Sequence, residues 1–546
     1  MRSSSQLRFG TTGAKPPRNR LKWLQFAIII IAGCAHATSI AWPFPFGSAL
    51  YLVQGQPAGW LQLLALALLA GQLDGARSWQ RGAWLGGLFA AAMLCATFWW
   101  LFISLHVYGG LAAPLALLAI VLLSAFLALY YAAAAGLFVA LAPVRPVLRA
   151  AFFAAMWLLA ELARVKLFTG FPWGEGGYAH VDGWARPLAA WVGVHGLTFM
   201  AALVAGWLAF SLLAPKTRWL AALASIVLSA AVAWLPVYNV GDVEPDPALV
   251  KPMPVTLLQG NISQDEKFVA GTGIATALQW YGEQLHDAKT ALVVAPETAL
   301  PLLPQQLPDG YLQALQARFA TGDQAALIGL PLGDYETGYS NSVIGLKPGQ
   351  TDQSAQQALA GPYRYDKHHL VPFGELIPPG FRWFIDLMTI PLGDFNRGAV
   401  GQPSFDWQGQ RLAPNICYED LFGEELGARF VDPAQAPTIF VNVSNIAWFG
   451  NTVAIDQHLQ ISRMRALEFG RPMIRATNTG ATVIINHRGE VTHSLVRHTR
   501  GALDGEVQGR SGITPYAWWV GRFGLWPLWA LGWAALGLAL VFRRHR

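Results

Sequence analysis

The stretch RLAPNICYED, residues 411–420, decides the fold of the polar half of this chain. Its first part is mostly apolar, as in a buried strand, and the strand would end where Cys417, Glu419 and Asp420 stand. Loops at strand ends are where a rigid scaffold commonly holds reactive groups. The pattern therefore predicts a buried strand with a thiol at its end, and an inert buried cysteine is the structural alternative.

Short runs of the same kind recur through the polar half, each of them β-branched or apolar and each ending in polar residues. Between them lie helical patterns, the last of which carries Arg463, Arg465 and Glu468 on its predicted polar side. Strands that alternate with helices predict a layered α/β domain. The further strand runs are residues 254–262, 290–299, 325–331, 341–346, 438–445, 472–480 and 481–491, and the helical patterns are residues 272–288, 309–320 and 452–469.

The rest of the chain is much more apolar. Of the 546 residues, 54% are hydrophobic and only 13% are charged, which is typical of a membrane protein. A bilayer-spanning helix needs roughly 20 mostly apolar residues. We therefore predict a membrane α-helical bundle of eight transmembrane helices plus the α/β domain: residues 1–241 with seven spans, 242–510 as the polar domain, and 511–546 with the last span. The segments are residues 23–42, 57–73, 84–105, 111–142, 148–165, 188–213, 218–238 and 515–541.

Lysine and arginine near the span ends indicate the orientation, because such residues are retained on the cytoplasmic side. They precede the first span, follow the last, and follow the even-numbered spans, whereas the loops around PFPFG (43–47) and HVYGG (106–110) contain none. The loop after the fifth span, with Arg164, Lys166 and Arg186, is the exception. The pattern predicts cytoplasmic termini and a polar domain outside the cytoplasm. These loops also explain the net charge of +6 without a nucleic-acid partner.

The cysteines favour a chemical role for Cys417. Cys34 and Cys95 fall inside predicted spans, so Cys417 is the single thiol of the polar domain, although an oxidising compartment usually pairs or removes cysteines. A thiol acts as a nucleophile only when a base or a positive charge helps to form the thiolate. Glu297, after LVVAP, can accept the proton, and Lys367 can stabilise the thiolate and an oxyanion. From the residues alone this trio is one choice among many glutamates and lysines.

The motifs around these three residues resemble, in order and spacing, those of the nitrilase (carbon-nitrogen hydrolase) superfamily. The resemblance implies an αββα sandwich. It also implies that Glu297 is the general base, Lys367 the stabilising cation and Cys417 the nucleophile. The motifs are APETALP (295–301), KHHLVPFGELIP (367–378) and NICYED (415–420).

More narrowly, the chain is similar over nearly its whole length to the apolipoprotein N-acyltransferase family. This resemblance implies that Glu375 supports the site, and that Tyr418 and Glu419 handle substrate, with polar packing at a strand end as their alternative. Phe268 and Trp448 match aromatic positions on loops near the site. The further motifs are FPWGEGGY (171–178), NVSNIAWFGN (442–451) and RMRALEFGRP (463–472).

Two positions depart from the family pattern. Ile446 stands where the family usually has an Asp, so a hydrogen-bonding side chain of that loop is replaced by an apolar one. Phe268 stands where the family commonly has a Trp, and it keeps an aromatic ring for a lid contact. The loop of residues 168–184 is expected to line a groove for acyl chains, with an interfacial aromatic belt as its alternative.

The resemblance implies acyl transfer from the sn-1 ester of a phospholipid, such as phosphatidylethanolamine, through a thioester on Cys417. The acceptor would be the α-amine of diacylglyceryl-cysteine on an apolipoprotein, at the outer face of a bacterial inner membrane. We expect a lid that keeps water from the thioester, a monomer among membrane lipids, no cofactor and no metal. A membrane-tethered amidase or nitrilase is the alternative enzyme. A transporter or scaffold with a degenerate hydrolase domain is the non-catalytic alternative, with Glu161 and Arg164 as its intramembrane charges.

Overall fold

A computed structural model describes residues 18–212, 251–334, 336–349, 363–385, 387 and 395–544. The first part of the chain is helical because it consists of long apolar runs without strand-like alternation. Its helices are α1 (Arg18–Thr38), α2 (Gly59–Asp74), α3 (Trp79–Phe98), α4 (Ala113–Leu141), α5 (Pro146–Lys166) and α6 (Ala189–Leu212).

Four helical segments among the described residues are long and apolar enough to cross a membrane: Trp79–Phe98, Ala113–Leu141, Pro146–Thr169 and Arg186–Ser211. Two shorter apolar helices, Trp23–Thr38 and Gly59–Asp74, accompany them. The predicted span at residues 218–238 lies outside the described residues. The chain is therefore a membrane protein with several apolar helices, and the count of eight spans stays a prediction.

The predicted last span is not one straight helix. Its two parts, α12 (Pro515–Phe523) and α13 (Trp526–Arg544), meet at an angle of 83°. Gly524 lies at the bend with a φ of 54°, a left-handed conformation that glycine adopts without steric cost. If the pair is one broken span, the described residues hold up to five crossings.

The polar half folds into two six-stranded sheets because its apolar runs are buried on both faces. The strands are β1 (Met253–Gln259), β2 (Leu292–Val294), β3 (Ala325–Asp334), β4 (Gly338–Leu346), β5 (Arg364–Asp366), β6 (Phe405–Trp407), β7 (Gln410–Ile416), β8 (Ile439–Ser444), β9 (Met473–Thr477), β10 (Val483–Ile485), β11 (Val491–Ser494) and β12 (Gly501–Val507). Their orders in the two sheets are β12-β1-β2-β3-β4-β5 and β11-β10-β9-β8-β7-β6, with parallel pairing from β1 to β3 and from β7 to β9.

Helices cover the outer faces of both sheets. The apolar core between the sheets contains side chains of both, for example Val255 of β1 and Val441 of β8. Helices α7 (Gly273–Asp287) and α8 (Tyr311–Phe319) pack on the first sheet, and α11 (Val453–Phe469) packs on the second. The expected αββα sandwich is confirmed. The short helices α9 (Arg382–Ile385) and α10 (Gly423–Gly427) complete the elements named here.

The position of α11 corrects one expectation. Arg463, Arg465 and Glu468 do not face solvent but are buried, because α11 lies between the second sheet and the membrane helices. Arg463 donates to Asp182 at 2.8 Å, and Arg465 pairs with Glu468 at 3.0 Å. Glu468 in turn accepts a 2.6 Å hydrogen bond from the backbone N–H of Val194 in α6. Helix α11 thus joins the sandwich to the membrane helices through polar contacts as well as apolar ones.

The loop of residues 168–184 is also buried through most of its length, from residue 172 to residue 181. The Trp173 indole donates to Gln457 of α11 at 2.8 Å, and the Arg164 guanidinium donates to the Trp173 carbonyl at 2.6 Å. The buried part of the loop therefore connects the two halves and cannot line a lipid groove. Phe168, which is 78% exposed, lies at the outer end of this loop.

Candidate active site

The predicted nucleophile stands directly after β7. Cys417 has a φ of 53°, a left-handed conformation that costs a non-glycine residue about 1–2 kcal/mol. Its carbonyl oxygen accepts hydrogen bonds from His458 Nε2 at 3.2 Å and from Asn442 Nδ2 at 3.3 Å. These two donors hold the strained residue in place, as is common for groups at functional sites.

The predicted base and cation meet at the ends of neighbouring elements. Glu297 follows β2 and Lys367 follows β5, and the Lys367 ammonium lies 3.3 Å from Glu297 Oε1 and 2.8 Å from the Glu375 carboxylate. Asn341 of β4 donates to both carboxylates, at 2.7 Å to Glu297 and 2.8 Å to Glu375. Glu297 and Lys367 are 7% and 1% exposed, so their interaction is little screened by water.

The protonation states follow from these contacts. Burial favours protonation of Glu297, but Lys367 and the Asn341 hydrogen bond outweigh it and lower the pKa of this carboxyl. Burial disfavours the Lys367 cation, yet Glu375 and Glu297 raise its pKa above the ordinary lysine value. Burial and the Glu297 charge raise the pKa of the Cys417 thiol to about 12, against the opposing effect of Lys367. At rest the site therefore holds an ionised base, a fixed cation and a neutral thiol.

A buried network behind Cys417 was missed by sequence reasoning. Asp420 Oδ1 lies 2.9 Å from His458 Nε2, Asp420 Oδ2 accepts from Ser462 at 2.6 Å, and Arg475 lies 3.5 Å from the same oxygen. Arg475 Nη2 lies 2.7 Å from His458 Nδ1, so Nδ1 accepts and Nε2 carries the proton. Asp420 is the last residue of the NICYED motif, but nothing in the sequence indicated its partners on α11 and β9.

Glu419 is fully engaged inside the protein. One carboxylate oxygen accepts from the Ile416 backbone at 2.6 Å and from the Tyr365 hydroxyl at 2.7 Å. The other accepts from the His368 backbone at 2.6 Å. The carboxylate thus ties the Lys367 segment to the Cys417 segment, which favours its polar-packing alternative over substrate contact.

Tyr418 faces the membrane half. Its hydroxyl donates to the Gly170 carbonyl at 3.3 Å, and its ring stacks on Phe171 with centroids 6.1 Å apart. Gly170 comes directly after the apolar segment Pro146–Thr169. The residue next to the nucleophile therefore contacts the end of a membrane helix.

The two aromatic positions lie on separate loops of the chain. Phe268 is 44% exposed, on the loop between β1 and α7, and Trp448 is half-buried, with its ring 5.9 Å from that of Tyr108. Ile446 is fully buried in the apolar cluster around α11, so it needs no polar partner. Hydrogen bonding by that loop instead comes from Asn445, whose backbone N–H donates to Glu297 Oε2 at 2.7 Å.

A second buried lysine lies beside the base. Lys267 is 2% exposed, and its ammonium donates to the Glu297 carbonyl at 3.1 Å. Sequence reasoning singled out its neighbour Phe268 and passed over Lys267. The one signal in the sequence that could have pointed to Lys267 was its position next to the aromatic loop residue Phe268.

Comparison with known proteins identifies the family. A protein from Verminephrobacter eiseniae named apolipoprotein N-acyltransferase is 59% identical over 522 residues, which cover 92% of this chain and 94% of that protein. The chain belongs to the apolipoprotein N-acyltransferase family. A relative of the same name from Ralstonia nicotianae is 45% identical over 489 residues, covering 89% of this chain and 90% of that protein. The chain is therefore an enzyme, with a site suited to acyl transfer.

Two family models match separate parts of the chain. Residues 46–207 match the apolipoprotein N-acyltransferase N-terminal domain, and residues 255–516 match carbon-nitrogen hydrolase. Among solved structures, an amidase of the nitrilase superfamily from Nesterenkonia is 16% identical with a TM-score of 0.35, covering 48% of this chain and 92% of that one.

The two charged residues proposed for a transport pathway, Glu161 and Arg164, form hydrogen bonds with backbone groups. Glu161 accepts a 3.1 Å hydrogen bond from the Gly176 N–H, and Arg164 donates to the carbonyls of Phe171 and Trp173. Both are fully buried, which disfavours the transporter alternative.

Among the described residues, Glu161, Glu175 and His195 have ligand atoms within 4.8 Å of one another, the spacing of a metal site. Arg164 and Arg465 also interact electrostatically with Glu175, so positive charge is already present there.

Proposed function

We propose that this enzyme transfers a fatty acyl chain from the sn-1 ester of a phospholipid, such as phosphatidylethanolamine, to the α-amine of diacylglyceryl-cysteine on an apolipoprotein. The observation that carries the proposal is the contact between Tyr418 and Gly170. It brings the nucleophile next to the end of a membrane helix, where a lipid ester is within reach. A membrane-tethered amidase would use the same catalytic residues but would need no such contact.

In the first half-reaction Cys417 attacks the ester carbonyl. Its proton passes to Glu297, and Lys367 stabilises the negative charge that develops on sulfur and on the carbonyl oxygen. Because the resting thiol has a pKa of about 12, the proton moves as the new bond forms rather than beforehand. Glu297 then protonates the departing glycerol oxygen, which leaves a lysophospholipid and a thioester on Cys417. The amine attacks the thioester in the second half-reaction.

The membrane arrangement forms part of the proposal. Eight spans with cytoplasmic termini in a bacterial inner membrane would place residues 242–510 in the periplasm, where both substrates are anchored in the outer leaflet. The basic loops of the sequence support this orientation. We assign Phe268 and Trp448 to contact with acyl chains beneath a lid that keeps water from the thioester. The enzyme acts as a monomer, without cofactor or metal.

Acyl labelling tests the mechanism. Purified protein is incubated in detergent micelles with phosphatidylethanolamine carrying a radiolabelled sn-1 chain, and the protein is then treated with hydroxylamine. We expect a hydroxylamine-sensitive label on wild type and none on Cys417→Ala. A variant with both Cys34→Ala and Cys95→Ala is the matched control and keeps the label. No label on wild type would refute the thioester, and a label that never moves to a diacylated lipopeptide would refute the transferase.

A further inference from the structure

Lys267 lies where a second proton acceptor is needed. Its loop between β1 and α7 is held by the Lys267 N–H, which donates to the Ser263 carbonyl at 2.9 Å. Within the described part of the chain, the Glu297 carbonyl is the hydrogen-bond partner of its ammonium. The following residue, Phe268, is 44% exposed, so the buried amine is one residue away from solvent. Lys267 is therefore close both to the general base and to the outside.

Its electrostatic surroundings are mixed. Glu297 and Cys417 face it from the two sheets, and the Glu297 carboxylate favours its cation, while Asp265 and Glu266 on its own loop are exposed. Burial outweighs the effect of Glu297 and lowers the pKa of Lys267 to about 7. A lysine of this kind is a free amine in a large share of molecules at neutral pH, and its lone pair can accept a proton.

In the second half-reaction the acceptor's α-ammonium carries a proton that neither Glu297 nor Lys367 can accept. An α-amine is mostly an ammonium ion at neutral pH, and only the neutral amine attacks a thioester. Glu297 is needed for the proton that nitrogen loses after attack. Lys367 is a permanent cation between Glu297 and Glu375 and cannot accept another proton. The ammonium proton therefore needs a separate base.

We propose that Lys267 is this base, and that it deprotonates the acceptor's ammonium before attack; the inference rests on the proposed function. Neutral Lys267 takes one proton from the ammonium. The amine nitrogen then bonds to the thioester carbon and loses its second proton to Glu297. The carbon–sulfur bond breaks, and the thiolate takes that proton from Glu297. Lys267 finally releases its proton to water, so that one proton is released for each amide formed.

Two variants separate this role from simple positioning of Glu297. Lys267→Arg keeps a cation and a donor for the Glu297 carbonyl but cannot lose a proton at neutral pH. Lys267→Met removes charge, donor and base together. Each protein is first charged with acyl chain from phosphatidylethanolamine, and the rate of thioester formation is recorded. The isolated thioester is then treated with a diacylglyceryl-cysteine lipopeptide from about pH 6 to about pH 9, or with hydroxylamine, which is unprotonated at neutral pH.

We expect Lys267→Arg to form the thioester at nearly the wild-type rate and to react normally with hydroxylamine. Transfer to the lipopeptide should fall about 10-fold at neutral pH, since roughly a tenth of an α-amine is unprotonated there, and recover as the pH rises and the free amine accumulates. In wild type this transfer should increase through a pH of about 7. Equal losses in both half-reactions, or normal transfer by Lys267→Arg at neutral pH, would overturn the proposal. Failure of wild type to form any thioester would instead refute the proposed function.

Discussion

Replacing Asp420 by asparagine removes one charge from the buried network behind Cys417. The substitution keeps the side-chain shape and allows hydrogen bonds to Ser462 and His458 to persist as neutral ones. It leaves the Arg475 guanidinium without its carboxylate partner, and Asp420, His458 and Arg475 are all fully buried. Although burial opposes ionisation of Asp420, His458 and Arg475 lower its pKa, so the group lost is a carboxylate.

The size of the effect follows from this geometry. Removing one partner of a buried ion pair costs about 3–5 kcal/mol, because the remaining charge stays desolvated. Hydrogen bonds to a charged group are each about 1 kcal/mol stronger than neutral ones, which accounts for part of that cost. For a domain of this size, 1 kcal/mol shifts the melting temperature by about 2–4 °C. We therefore expect Asp420→Asn to lower the apparent Tm by roughly 10 °C.

The assay is thermal unfolding of the detergent-solubilised protein at one fixed scan rate, with the rate of thioester formation measured in parallel. Asp182→Asn is the matched control: its partner Arg463 also lies on α11, but Asp182 is 38% exposed, so a loss of about 1 kcal/mol or less is expected. Adding Arg475→Gln to Asp420→Asn should restore part of the stability, because it removes the unpaired cation. Equal shifts for Asp420→Asn and Asp182→Asn, or strictly additive effects in the double variant, would refute the reasoning.

Three further predictions concern the catalytic residues. Glu297→Gln should slow single-turnover thioester formation on the order of 10²- to 10⁴-fold, because the amide cannot accept the thiol proton; a normal rate would assign the base elsewhere. Because Lys367 holds the Glu297 pKa low, the wild-type rate of that step should stay flat from about pH 8 to about pH 5, and an inflection near pH 6 would contradict this. Lys367→Met leaves the Glu297 and Glu375 carboxylates without their shared cation, so the apparent Tm should drop by roughly 10 °C; the charge-preserving Lys367→Arg should lose less stability.

Much of the sandwich could be predicted from local pattern. The helical patterns at 272–288, 309–320 and 452–469 correspond to Gly273–Asp287, Tyr311–Phe319 and Val453–Phe469. The edge strands β5, β6 and β12 were not predicted, since they are short or half-exposed and lack a continuous apolar run. The two parts of the broken helix at Gly524 were read as one span, because hydropathy measures composition and not direction.

The candidate site, too, was predicted from the sequence only in part. The chemical identity of Glu297, Lys367 and Cys417 could be read from their motifs, and the structure brings the first two within 3.3 Å. Their role as a triad stays a proposal. The engagement of Glu419 with backbone groups could not be predicted, because a carboxylate beside a nucleophile has the same sequence pattern in either role.

The sequence by itself determined the membrane class, the layered α/β fold and the residue types of the catalytic set, since these depend on composition, periodicity and short motifs. Only the tertiary structure decided that α11 is buried on its polar side, that Asp420 belongs with His458 and Arg475, and that Lys267 lies against Glu297. These features arise from contacts between segments distant in the chain. Burial strengthens their electrostatic interactions and shifts their pKa values, and burial is a property of the folded molecule rather than of a local stretch.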